Sequence, residues 1–158
     1  MELLDTLCIY VADKLEMQAN AGADILMLFD SWSHMIPNNF FQECAIDPTA
    51  KIINILRSKY IYKPIIGFPF KAGSSLINYS HESNVDCIAL DWTVNLNWAK
   101  KYLNSSVAIQ GNLDPVSLIP SKTDHLEKNV LSILDIMKDN KFIFSVGHGL
   151  TPCLLYTS

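Results

Sequence analysis

Five short apolar runs recur along this chain, and a stretch of helical period follows each of the first four. The runs are "ADILMLF" (23–29), "PIIGF" (64–68), "VDCIAL" (85–90), "SVAIQ" (106–110) and "KFIFSV" (141–146). Continuous apolarity over so short a span marks a strand buried on both faces, unlike the alternating strand of a half-solvated sheet. An amphipathic helix over 2–20 precedes the first run, with Leu4, Leu7, Val11 and Leu15 stepping by three and four. Further helices are predicted from Asn39 to about Lys59, over 74–83, over 95–103 and over 123–138, the last with Leu126, Val130, Ile133 and Met137 on one face. Asn39 and Gln42 have the spacing of a helix cap, and Pro48 is expected to kink or divide the helix they open. Strands alternating with helices predict an α/β fold with parallel strands and right-handed crossovers.

Two architectures satisfy that alternation. One is an open doubly wound sheet of the flavodoxin-like kind, complete at this length. The other is a partial (β/α)8 TIM barrel. Both gather their chemistry where the strands end at the carboxyl side. The stretches there are "FDSWSH" (29–34), "FPFKAG" (68–73), "LDWT" (90–93), "QGNLDP" (110–115) and "VGHG" (146–149). Glycines accompany polar groups in the last two, which allows tight turns and close approach by a ligand.

Each polar residue in these stretches also has an ordinary structural reading. Ser31 is placed for a turn or a helix cap. Asp30 and Asp91 are placed to accept hydrogen bonds from loop amides. Asp114 before Pro115 has the look of a helix start. His148, between Gly147 and Gly149, has little local packing to explain it. His34, His81 and His125 have no partner at metal-ligand spacing, and the last two read as solvated helix residues. The phosphate-cradling patterns GxGxxG and GxxxxGK[ST] are absent, as are HExxH and GxSxG.

Composition narrows the partners. The net charge is −4 and there is no basic stretch, which argues against nucleic acid and anionic membrane. No uninterrupted apolar run reaches the ~20 residues a membrane helix needs. The first residues carry acids and no basic region, so they read as a helix and not as a signal peptide. Four widely spaced cysteines, without CxxC or CxH, read as reduced thiols of a cytoplasmic protein. Cys44 and Cys87 sit among apolar neighbours. Of twelve Lys and Arg residues only Arg57 is an arginine.

Taken in order, "GADILMLFDSW", "VDCIALDWT", "AIQGNLDP" and "FIFSVGHG" resemble the uroporphyrinogen decarboxylase family. The resemblance implies a single (β/α)8 barrel of roughly twice this length, acting as a homodimer without metal or organic cofactor. It implies removal of carbon dioxide from the four acetate side chains of the tetrapyrrole uroporphyrinogen III, giving coproporphyrinogen III in porphyrin and haem biosynthesis. It places residues 1–150 as the fourth to eighth strands, with three N-terminal strand–helix units missing. Ser31 matches a serine that touches a substrate carboxylate, and His148 matches a histidine that lines the pocket. Asp91 and Asn112 fall on pocket-floor loops as shaping residues.

The family's paired arginines (in an RQAGRY-like motif), its aspartate against the pyrrole N–H groups and its tyrosine have no counterpart here. No catalytic residue is therefore assigned, and the isolated chain is expected to be inactive. Lys71 stands one position off the family pattern and takes no role from it. Residues 151–158, including "PCLLYTS", depart most and are expected to be a non-native or truncated tail. A cobamide-dependent methyltransferase of the same barrel is the nearest rival, but it needs a zinc thiolate site such as HxC, a pattern this sequence lacks.

Overall fold

The structure, a computed structural model, describes residues 2–119 and 123–150. Helix α1 (Glu2–Asn20) leads into strand β1 (Leu26–Asp30). Then follow α2 (Asp47–Ser58), β2 (Ile65–Pro69), α3 (Leu76–Glu82), β3 (Cys87–Ala89), α4 (Leu96–Tyr102), β4 (Ala108–Leu113), α5 (Thr123–Met137) and β5 (Phe142–Val146). The strands form one parallel sheet in the order β1-β2-β3-β4-β5.

That order decides between the two architectures. A doubly wound sheet reverses direction at a switch point, so its last strand and its helices divide between two sides. Here every crossover steps the same way, and right-handed crossovers that never reverse put all helices on one face. The flavodoxin-like reading is therefore overturned. The packing agrees. One core joins Leu26, Ile65, Ile88 and Ile109 of the strands to Ala12, Leu15, Ile53, Leu56 and Met137 of the helices. A second cluster is made of strand residues alone, Ile66, Phe68, Cys87 and Ala89, with Met27, Phe70 and Ala108 against it. The chain forms the five-unit arc of a (β/α)8 barrel, and the second cluster is its inner wall.

Burial follows position in the arc. All five residues of β2 are buried, as a strand covered on both faces requires. The outer strands are less covered: Phe29 of β1 is 68% exposed, and Ile143 and Phe144 of β5 are 40% exposed each. These are the apolar edges that an incomplete ring presents.

Several sequence expectations need correction. The buried face of α1 is Cys8, Ala12, Leu15 and Ala19, whereas Leu7 is 48% exposed. Small side chains win that face because α1 packs against α2, and Cys and Ala let the axes approach. Asn39 caps nothing; it lies in a 3-10 turn, Asn38–Phe40, without a side-chain cap bond. Gln42 instead donates to Asp47 and Glu82, at 2.9 and 3.0 Å. Pro48 does divide its helix. A π-helical stretch, Gln42–Ile46, ends where α2 begins, and the proline sits in the first turn of α2, where its missing N–H leaves no gap. β1 begins at Leu26 and not at residue 23, and β4 runs on through Leu113, so Gly111 and Asn112 are strand residues and not loop. Cys44 is exposed, unlike Cys8 and Cys87.

Candidate functional site

The carboxyl ends of the strands converge on a cleft of about 220 Å³ on the concave face. Its walls come from both edges of the sheet: Met27 and Phe29 on β1, Ser145 and Val146 on β5, with Phe68 and Gln110 between them. In a flat sheet, four inter-strand steps of ~4.8 Å would hold β1 and β5 about 19 Å apart. A single cleft lined by both means that the sheet is curled.

His148 closes this cleft from the end of β5, and its imidazole is surrounded by aromatic rings. Ring centroids lie 4.8 Å away at Phe70, 5.8 Å at Trp92 and 6.5 Å at Phe68. The set continues towards β1: His34 is 5.6 Å from Phe70, edge to face, and Trp32 stacks on His34 at 5.8 Å. The Lys71 ammonium lies over Phe70 and Trp92, at 5.1 and 5.2 Å. An aromatic belt with two histidines and a lysine thus rims the mouth of the cleft, suited to a flat apolar ligand edged with negative charge.

Ser31 is exposed and stands one residue past β1, two beyond the cleft-lining Phe29. Its loop is joined to His148 through the ring series Trp32, His34 and Phe70. Asp91 and Asn112 lie beneath the belt, 2% and 7% exposed. The Asp91 carboxylate accepts from the Lys71 N–H at 3.1 Å, from the Thr93 N–H at 2.9 Å and from the Thr93 hydroxyl. The Asn112 amide donates to the carbonyls of Asp91 and Val94, at 2.9 and 2.8 Å. Both side chains are engaged with backbone, and together they tie the loops after β2 and β3 to strand β4 in one floor.

Two of the glycines are also required by the chain's own packing. A Cβ on Gly147 would lie 2.4 Å from the Trp92 nitrogen, and one on Gly111, at φ +136°, would lie 2.7 Å from the Leu90 carbonyl oxygen. The chain's own backbone at the end of β3 approaches both. Gly149 has open space around it. Burial raises the Asp30 carboxyl above the usual carboxylate range, against the lowering effect of the nearby Trp32 and Ser33 amides. Asp114 caps a short 3-10 turn by accepting from Val116 at 2.9 Å. His81 and His125 are exposed on helices.

Two features escaped sequence reading. Ser33 is 1% exposed, and its hydroxyl lies 3.0 Å from the Asp30 carbonyl and 2.9 Å from that of Phe70, joining the first two loops. The aromatic belt was written in "FPFKAG" and "LDWT". Phe68 and Phe70 are two residues apart, so an extended segment turns both to one side. His34 gave no such signal, because its partner Phe70 is distant in sequence.

Among the described residues, no group of three or more His, Cys, Asp or Glu side chains is placed to hold a metal ion. No described helix is long and apolar enough to cross a membrane. The uroporphyrinogen decarboxylase (URO-D) family matches this sequence over residues 1–154. The chain is 38% identical over 152 residues to a uroporphyrinogen decarboxylase of Orientia tsutsugamushi (strain Ikeda), covering 96% of this chain and 44% of that protein. Identity to the uroporphyrinogen decarboxylase of Rickettsia africae (strain ESF-5) is 41% over 151 residues, 96% of this chain and 43% of the relative. For that of Chelativorans sp. (strain BNC1) it is 39% over 151 residues, with 96% and 44% covered. The chain therefore spans under half the length of these curated relatives. The tail expected to be foreign, 151–158, lies outside the described residues.

Proposed function

This chain belongs to the uroporphyrinogen decarboxylase family, and from that premise we propose that it serves the decarboxylation of uroporphyrinogen III to coproporphyrinogen III as part of a homodimeric barrel enzyme. The observation that carries the reading is the curled inner face, where His148 and an aromatic belt overlook an apolar cleft lined from both sheet edges. The rings suit the faces of a tetrapyrrole, and the polar rim suits its carboxylates. Ser31 and His148 each contact a carboxylate; Asp91 and Asn112 shape the floor. Free, buried Cys8 and Cys87 support work in a reducing cytoplasm.

The chemistry explains why the rest of a barrel is needed. Breaking the bond from an acetate methylene to its carboxyl leaves an electron pair on carbon unless the pyrrole is first protonated. The protonated ring accepts that pair as carbon dioxide leaves, a proton added to the methylene carbon makes the methyl group, and the ring gives up the proton it first took. Such a site must hold eight carboxylates and stabilise a cationic ring. Hydrogen bonds to charged groups contribute roughly 1.5–3 kcal/mol each. Two such contacts do not organise an octa-anion against a chain of net charge −4. The one arginine is committed elsewhere, to the carbonyls of Ile61 and Lys63 and to Asp86. The chain alone is therefore inactive, and the strands it lacks relative to the family supply the arginines and the pyrrole-binding aspartate.

Complementation tests this. The chain is produced alone and together with the front strands of the Rickettsia africae relative, and each preparation is supplied with uroporphyrinogen III. Coproporphyrinogen is expected only from the pair and is expected to be lost with His148→Ala. Turnover by the chain alone at the rate of an intact relative contradicts its inactivity. No product from a folded, associated pair contradicts the decarboxylase assignment.

A further inference from the structure

Lys71 is held at the mouth of the cleft by three separate features. Its backbone sits at φ +53°, a left-handed conformation that a lysine adopts only against a steric cost and that glycine or asparagine would take more readily. Its N–H donates to the buried carboxylate of Asp91 at 3.1 Å, which fixes that backbone. Its ammonium lies 5.1 and 5.2 Å from the ring centres of Phe70 and Trp92, the two rings nearest His148. Lys51, Lys59, Lys63 and Lys138 each form an ion pair with an acid; among the described residues Lys71 forms none. It lines a second cleft of about 320 Å³, with Ser74, Thr93, Asn95 and Trp98.

We propose that Lys71 is a further substrate-binding residue of this site, its ammonium gripping a carboxylate of the tetrapyrrole at the aromatic belt beside His148. This rests on the decarboxylase reading above and extends it to a residue with no part in the motif resemblance. A cation resting on two aromatic faces is partly desolvated and pre-oriented, so a carboxylate that reaches it meets a charge already in place. The Asp91 carboxylate thereby has a second effect. By fixing the Lys71 backbone it aims the side chain, while the strained φ stores part of the cost of that aim.

The test uses uroporphyrin III, the stable oxidised octacarboxylate, and follows binding to the whole chain by quenching of tryptophan fluorescence. Lys71→Met is expected to weaken binding about tenfold and to flatten its salt dependence. Lys71→Arg is expected to restore affinity to within about threefold of the parent. Lys71→Gly relieves the left-handed strain, so it is expected to melt no lower than the parent and still bind as weakly as the methionine variant. Parent-like binding by Lys71→Met and Lys71→Gly overturns the role of Lys71 and leaves the tetrapyrrole reading standing. A folded parent chain that fails to bind uroporphyrin overturns a grip by Lys71 in this chain, and the decarboxylase reading is then decided by the complementation assay.

Discussion

The two ends of the same five strands are built on different principles. At the amino end, Arg57 donates to the carbonyls of Ile61 and Lys63 at 2.7 and 3.0 Å and to Asp86 at 3.1 Å. Asp86 in turn accepts from the N–H of Ile65 at 2.8 Å, at the start of β2. Both of these charged side chains have protein partners. At the carboxyl end, His148 and Lys71 rest on rings, and among the described residues neither imidazole nor ammonium makes a hydrogen bond. The polar groups that are satisfied, Asp91, Asn112 and Ser33, lie one layer below and hold loops. One end binds the fold together, and the other keeps charge and aromatic surface free for a ligand, the division expected of a barrel.

Substitutions at each end sharpen that contrast. The largest effect is expected from Gly147→Ala, since its Cβ would meet Trp92 backbone at 2.4 Å, where nothing can swing away. A cost of about 3 kcal/mol is expected from the forced backbone shift, read as a lower midpoint in urea. It is the case in which the functional end also bears on stability. Arg57→Met is expected to destabilise by about 2 kcal/mol and to leave uroporphyrin affinity unchanged. Weakened binding in that variant would erase the distinction between the ends.

Asp30→Asn has a smaller and pH-dependent effect. Burial raises the Asp30 carboxyl in the folded state, so between its unfolded and folded values the native chain holds more protons than the unfolded one. Its contribution to stability is then greatest at low pH and is lost as pH rises through the folded value. The asparagine keeps a polar side chain of the same size without the charge. It is expected to gain at most about 1 kcal/mol at pH 7 and nothing near pH 3, measured as paired melts. The smallest stability change, under about 0.5 kcal/mol, is expected for the exposed His148→Ala, which nevertheless weakens uroporphyrin binding. Equal affinity with and without the imidazole would remove His148 from the site.

Much of this was legible in the sequence. The apolar runs located all five strands, because a strand buried on both faces has no polar register to confuse. The strand ends named the loops that meet, since parallel strands send their carboxyl ends to one side. Sheet order was not legible: residues 106–110 read the same in a barrel and in a doubly wound sheet, and only the pairing of β5 beside β4 at the edge separates them. Partnerships between loops were equally hidden. Nothing near Ser33 in sequence foretells a bond to the Phe70 carbonyl, and nothing near Gly147 foretells the Trp92 backbone. Lys71 is the sharpest case. Its value lies in a backbone angle and in two rings, one of them beyond β3.

Hydrogen-exchange mapping of the chain with and without uroporphyrin III tests the division of the strands most directly. Slowed exchange is expected in the carboxyl-end segments 68–73, 91–93 and 147–149, with the amino-end segment 57–65 unchanged. Protection centred on 57–65, around Arg57, would contradict it.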